Sequence, residues 1–465
     1  MAKKFHEVRD PIHAFVRLTA DERDVLNCRA FQRLRYIHQL ALTYLVYPGA
    51  THRRFEHSLG VMELASRIFD VVTEPSNVTE DVRNLLPELS DDYKRVYWRQ
   101  ALRIAALCHD VGHLPFSHAA EKELLPPGVT HEHLTRAIVL DNELGSILDR
   151  LKIQRLDVVK LALGPEEAPD LTFTTWETIL SEIIVGDAFG ADRMDYLLRD
   201  SHHAGVAYGR FDHFRLIDTL RILPSPPAGS GKAAATETPS ADASSHATDQ
   251  SSGDASREPA LGILDGGLHS AEALMLARYF MFTQLYFHPV RRIYDIHLKD
   301  FLLQTLPGGK YASTVNEHLE VTDNEVAASI LKAARDPTSP GHDAARRIAN
   351  REHFKLFYQR HPDDLKINLQ PGKAVYEAAK TKFGEENVRW DYQPAKGRAP
   401  DFPVMPKEGP IASSMAMSEP LTHLPAASFD YVFVNPTLQG KARAWLDAER
   451  QEILKPKEDD EHGTP

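Results

Sequence analysis

The sequence predicts a mainly α-helical protein whose helical core is interrupted once and is followed by a smaller C-terminal α+β subdomain. Three observations lead there. Across residues 31–220 apolar side chains recur at helical spacing, as in Phe55, Leu59, Met62 and Ile68, and strand signals are few. Residues 224–260 contain no Val, Ile, Leu, Met, Phe, Tyr or Trp, so this Ala/Ser/Pro/Gly-rich stretch cannot bury enough surface to offset its ordering entropy. After about Arg351, β-type runs at 387–392 and 429–434 alternate with proline-rich connections near 400–410.

Taken in order, residues 1–223 form the first part of the helical core and 224–260 a disordered insertion. Helical patterning resumes around His269 and runs through Tyr286 and Arg291 to about Leu303, so 261–350 continues the core. Residues 351–454 make the α+β subdomain, and the polar residues 455–465 a frayed tail. No internal repeat is present.

A chain of 465 residues can bury a large core. Its net charge of −12 argues against general affinity for nucleic acid, which depends on basic side chains neutralising phosphates. The two cysteines, Cys28 and Cys108, do not make a disulfide scaffold, and a reducing cytoplasm fits them. The N-terminus lacks an apolar signal core and no stretch reaches a membrane-spanning length, so a cytoplasmic location without membrane association is expected.

Chemistry concentrates at residues 108–118, where His109, Asp110, His113 and His118 follow an apolar helix-like stretch. Upstream, residues 51–60 add histidines beside Arg53 and Arg54; downstream, 190–196 adds aspartates. Imidazole and carboxylate together suit one divalent transition metal of the Fe, Mn, Zn, Ni or Co type, and the lack of thiolates argues against structural zinc. Cys108, between apolar neighbours, reads as a core residue. Adjacent helical residues diverge by about 100°, so His109 and Asp110 can share a metal only near a helix end, which Gly112 and Pro115 supply.

These residues resemble the HD-domain phosphohydrolases, whose ligands follow the order His, His-Asp, Asp. The blocks at 10–13, 31–40, 47–60, 108–118 and 195–203 are similar to those of the deoxynucleoside triphosphate (dNTP) triphosphohydrolases, the subgroup that in vertebrates carries a sterile alpha motif, and to its bacterial relatives. The similarity covers roughly residues 5–300. It implies an HD-domain helical core, with His57, His109, Asp110 and Asp192 as metal ligands, and cleavage between the 5′ oxygen and the α-phosphorus to deoxynucleoside and triphosphate. It also implies a homo-oligomer, dimer or tetramer, and admits Mg with the substrate phosphates.

Under that resemblance Arg54, His113, His118, Arg193 and Arg278 are candidates to meet the phosphates, arginine being favoured for bidentate contact. His118 is the favoured general acid for the 5′ alkoxide. Glu121 orients or charges it, or is a plain surface glutamate. His131 aligns with a family active-site histidine, with His133 as a close competitor. Gln39 and Leu40 fall near the deoxyribose, where packing would exclude a 2′ hydroxyl. Tyr196, Asp200 and Tyr286 fall around sugar and base, and a core role is the bland alternative for one of the tyrosines.

The chain departs from the family in three places. It is expected to lack the sterile alpha motif. Asn27 stands where nucleotide-activated relatives place an acidic residue that recognises guanine, although Arg35 is retained, and residues 7–9 depart from the basic-apolar pattern there, so weak or altered guanine dependence is expected. The insertion has no counterpart. Rival readings are an HD phosphohydrolase of another nucleotide (a deoxynucleoside monophosphate, a cyclic nucleotide or an alarmone) and a nucleotide-sensing or nucleic-acid-binding regulatory protein.

Overall fold

A computed structural model describes residues 5–116, 121–224, 258–395 and 399–455. The helices that carry the core are α1 (Arg54–Val72), α2 (Asp92–Cys108), α3 (His131–Leu140), α4 (Arg155–Glu167), α5 (Thr175–Val185), α6 (Ala191–Ala204), α7 (Leu268–Met281), α8 (Pro289–Thr305) and α9 (Asp323–Ala333). α1 is central and buried on nearly every face, packing against α2, α5 and α6. The sequence explains α2: its second half alternates small Ala101, Ala105 and Ala106 with Leu102, Ile104 and Leu107, all fully buried, so α1 can approach closely. Cys108 lies in this core, and burial raises its thiol pKa, which keeps it protonated and unsuited to hold a metal.

Strands frame this core. β1 (His6–Asp10) and β2 (Ala14–Leu18) form an antiparallel hairpin, with Val8 opposite Val16. β3 (Leu220–Pro224) and β4 (Pro259–Leu264) pair antiparallel. The core is thus mainly α, as the sequence predicts, but the described chain reaches into both ends of the 224–260 stretch as strand, because the apolar run on either side pairs across it. Residues 225–257 and 456–465, which carry the expected disordered insertion and most of the tail, lie outside the described residues.

The C-terminal part contains the expected smaller sheet, in the order β5 (Lys355–Gln359), β9 (Phe429–Val434), β6 (Val388–Gln393), with Trp390 opposite Val432. One segment behaves differently. β7 (Pro403–Met405) pairs in parallel with β4, and β8 (Ala412–Ser413) with β7, while Phe402, Val404 and Leu421 are buried in the main core. The sequence reading places all of 351–454 in the small subdomain; apolar residues of its middle instead join the core sheet, where Phe402 and Val404 are buried. Among the described residues no helix is long and apolar enough to cross a membrane.

Candidate metal centre and substrate cavity

Four side chains meet where α1, the end of α2 and α6 converge. His57 stands on the first turn of α1, an orientation fixed by the start of the helix: Arg54 N donates to Ile37 O at 3.0 Å, and Arg53 N to Glu56 Oε1 at 2.7 Å. His109 is the C-cap of α2, so it and Asp110 project from a chain that is leaving the helix and can face one point. Asp192 lies in the first turn of α6. His57 Nε2 is 3.0 Å from Asp192 Oδ1 and 3.7 Å from Asp110 Oδ2. His109 Nε2 is 3.4 Å from Asp110 Oδ1 and 3.6 Å from Asp192 Oδ1.

These donors fit a cation. His109 Nδ1 donates to Ala106 O at 2.8 Å, which turns the lone pair of Nε2 into the cluster, and that buried nitrogen has no hydrogen-bond partner among the described residues. Donor atoms of His57, His109 and Asp110 lie within 4.8 Å of one another. Imidazole with carboxylate suits a borderline divalent ion, and His109, Asp110 and Asp192 also line the cavity. Without an ion the charges balance differently: burial opposes the His57 imidazolium, but Asp192 and Asp195 hold its pKa at about 10. Burial likewise disfavours the Asp110 carboxylate, yet Arg54, His109 and His113 hold it well below the usual carboxylate range.

Behind His57 lies a layer of residues to which sequence reasoning gave no role. His57 Nδ1 donates to Asp195 Oδ2 at 2.9 Å, and Asp195 also accepts from His13 Nε2 at 2.8 Å and from Arg199 at 2.7 and 2.9 Å. Arg199 reaches Asp10 Oδ2 at 2.8 Å, while Asp10 Oδ1 accepts from the main-chain N of Ile12 and His13 and so shapes the β1–β2 turn that delivers His13. Asp195 and Arg199 are fully buried. Gly60 permits this contact: a Cβ there would collide with the Asp195 carboxylate and Arg199. The spacing of Asp192, Asp195 and Arg199 on one helix was the available signal.

On the other side, Asp110 accepts from Arg54 Nη1 at 2.5 Å and from His113 Nε2 at 3.1 Å. His113 stacks on His131 at 3.9 Å between ring centroids. Burial, with Arg54 and His131 close by, lowers the His113 pKa so far that the ring is neutral and offers a hydrogen bond, not a positive charge. His131 is the reverse case: burial opposes its charge, but Glu121 and Glu132, at 2.8 and 3.0 Å from Nδ1 and Nε2, raise its pKa. Glu121 therefore holds His131, accepting from its main-chain N as well at 2.6 Å. His118, which Glu121 was expected to orient, lies outside the described residues. Gly112 follows the end of α2 without a left-handed backbone; a Cβ there would collide with the main chain of His131 and Thr135, so glycine is required by the close approach of α3.

A cavity of 940 Å³ is lined by His109, Asp110, Asp192 and His131 together with Arg193, Arg278 and residues 400–403. Both arginines face Asp187, at 2.6 Å for Arg193 Nη2 and 3.4 Å for Arg278 Nη1. The remaining predicted residues form a second group. Tyr286, at the end of a π-helical turn, donates to Asp200 Oδ2 at 2.7 Å; His52 Nε2 donates to Asp200 Oδ1 at 2.8 Å; and Tyr196 meets Tyr286 edge-on at 6.1 Å. Burial pushes the Tyr196 phenol up to about 12. Leu40 is buried, and Gln39 carries a buried Oε1 with no partner among the described residues.

A helical core with a His, His-Asp, Asp cage at the junction of three helices defines a metal-dependent hydrolase class, and comparison with known proteins gives the family. Residues 54–172 match the HD domain and residues 256–385 the HD associated region. The chain belongs to the HD-domain phosphohydrolase family. It is 33% identical over 298 residues to an uncharacterized protein of Bacillus subtilis, covering 63% of this chain and 54% of that one. It is 27% identical over 430 residues to the deoxynucleoside triphosphate triphosphohydrolase SAMHD1 of Gallus gallus, covering 85% of this chain and 62% of that one. The chain thus spans little more than half the length of these relatives. A solved structure of a hypothetical protein from Aquifex aeolicus superposes with a TM-score of 0.74 at 30% identity, covering 95% of this chain and 100% of that one.

Proposed function

We propose that this protein hydrolyses deoxynucleoside triphosphates at the α-phosphorus, giving deoxynucleoside and inorganic triphosphate. The observation that carries the reading is a cation cage accompanied by guanidinium groups: Arg54 on Asp110, and Arg193 and Arg278 in the lining of the cavity that the cage also lines. His57, His109, Asp110 and Asp192 would hold a divalent ion, which would supply Lewis acidity toward a phosphoryl oxygen and lower the pKa of water. The arginines bind and orient the phosphates. Water oxygen bonds to the α-phosphorus as the bond from that phosphorus to the 5′ oxygen breaks; the 5′ oxygen takes a proton from His118, which this reading makes the general acid, and the proton released by the water passes to solvent, from which His118 is reprotonated. His131, held between Glu121 and Glu132, stacks on His113 and steadies the ring that meets Asp110. Gln39, Leu40, Tyr196, Asp200 and Tyr286 take the sugar and base. In this reading the protein is a cytoplasmic homo-oligomer.

Product analysis tests it. Incubation with each of the four dNTPs and a divalent metal should release triphosphate and deoxynucleoside, with oxygen from labelled water appearing in the triphosphate. Release of phosphate or pyrophosphate instead, or turnover only of a monophosphate, a cyclic nucleotide or an alarmone, would sink the proposal.

A further inference from the structure

Asp323 begins α9, far along the chain from the HD motifs, yet it is wired to both flanks of the site. It is 1% exposed. Its Oδ2 accepts from the main-chain N and from Nδ1 of His38, at 2.7 and 2.6 Å, and its Oδ1 accepts from the main-chain N of Phe116 at 2.6 Å. Hydrogen bonds to a buried carboxylate are among the strong ones, and the N-terminus of α9 adds favourable potential. Arg33 reinforces the same corner: Nε donates to Val321 O at 2.9 Å and Nη1 to His113 O at 2.8 Å.

The two segments so joined have different duties. Residues 37–39 pair with 52–54, since Gln39 N donates to His52 O and Arg54 N to Ile37 O, each at 3.0 Å; this places Arg54 and leads directly into Gln39 and Leu40. Residues 113–116 carry His113, which is bound to Asp110. They end on Phe116 at φ +55°, a left-handed conformation an L side chain rarely adopts and that surrounding contacts must enforce. The bond to Asp323 and the parallel stack of His38 on Phe116, 6.0 Å between centroids, enforce it.

We infer that Asp323 is a positioning residue which fixes the 37–40 segment against the 113–116 segment and thereby sets the preference of the site for deoxyribose over ribose. The sugar clause rests on the proposed dNTP reading. Both carboxylate oxygens accept from N–H groups, so in Asp323→Asn an amide N–H₂ faces a donor in either orientation, and one segment is released.

The test uses the full chain and compares D323N with wild type and with T322A, which removes the side-chain cap of α9 but leaves the carboxylate. The ratio of kcat/KM for dATP to that for ATP does not depend on the fraction of folded protein. It should fall about tenfold in D323N and stay within about twofold in T322A, with bound metal retained. Amide hydrogen exchange should rise in peptides covering 36–42 and 112–116. An unchanged ratio overturns the inference even if exchange rises, as does an equal fall in T322A. Should D323N not fold, D323E keeps the charge on a longer stem and is read by the same ratio. A wild type inactive on dATP sinks the dNTP reading together with the sugar clause; unchanged exchange in both segments then also sinks the positioning clause.

Discussion

His57 and Asp195 are joined through Nδ1 at 2.9 Å, which commits the opposite ring nitrogen to the centre shared with Asp110 and Asp192. A ligand imidazole whose second nitrogen donates to a carboxylate is fixed in tautomer and orientation and is a better base. D195N should therefore lower metal affinity about 10–100-fold. Titration with Co(II) or Mn(II) and elemental analysis check this. Affinity equal to wild type would show that the ring is held by packing alone.

Gly60 tests the same layer sterically. An exposed helical Gly→Ala change gains about 1 kcal/mol, but here the new Cβ would enter the Asp195–Arg199 contact, and overpacking costs about 1–3 kcal/mol. The clash should win. Denaturant titration of G60A is expected to show net destabilisation together with weaker metal binding.

For His131 the pH dependence has a definite sign. Burial opposes its charge, but Glu121 and Glu132 raise its folded pKa above the ordinary value of about 6.5. Its stabilisation is present in full below that ordinary value and is lost as pH rises through the folded one. E121Q should lower the melting temperature most near pH 6 and progressively less toward pH 9. A difference that grows with pH would contradict this assignment.

Arg193 and Arg278 are presented to the cavity in the company of Asp187. That carboxylate orders the two guanidiniums but competes with a phosphate for them. D187N should lower KM several-fold with kcat nearly unchanged, whereas R278A should raise KM by about tenfold, the equivalent of ~1.4 kcal/mol. Steady-state kinetics on the hydrolysed nucleotide separate the two parameters.

What the sequence revealed and what it hid follow from distance along the chain. His109 and Asp110 are adjacent and lie at a helix end, so their convergence follows from helical geometry, and the 3.6-residue period made α1 and α7 readable. The histidine and aspartate types around His57 and Asp192 already pointed to the same centre, and the resemblance assigned those two as its remaining ligands. Asp195 and Arg199 passed without a role because their partners, His13 and Asp10, come from a hairpin at the other end of the core. Asp323 sits at an ordinary helix start, and nothing local marks a capping-region aspartate as a long-range acceptor. The return of β7 to the core was hidden for the same reason: three residues carry too little pattern to reveal a strand partner.

That return has a consequence for how the protein comes into being. Phe402 packs edge-on to Phe189, 4.6 Å between centroids, and residues 400–403 form part of the wall of the cavity that the cation cage also lines. A ribosome makes every candidate ligand long before it makes this wall. The nascent chain can therefore gather the cage residues before this stretch of the lining exists, and the cavity takes its final form only once residues 400–403 have been added.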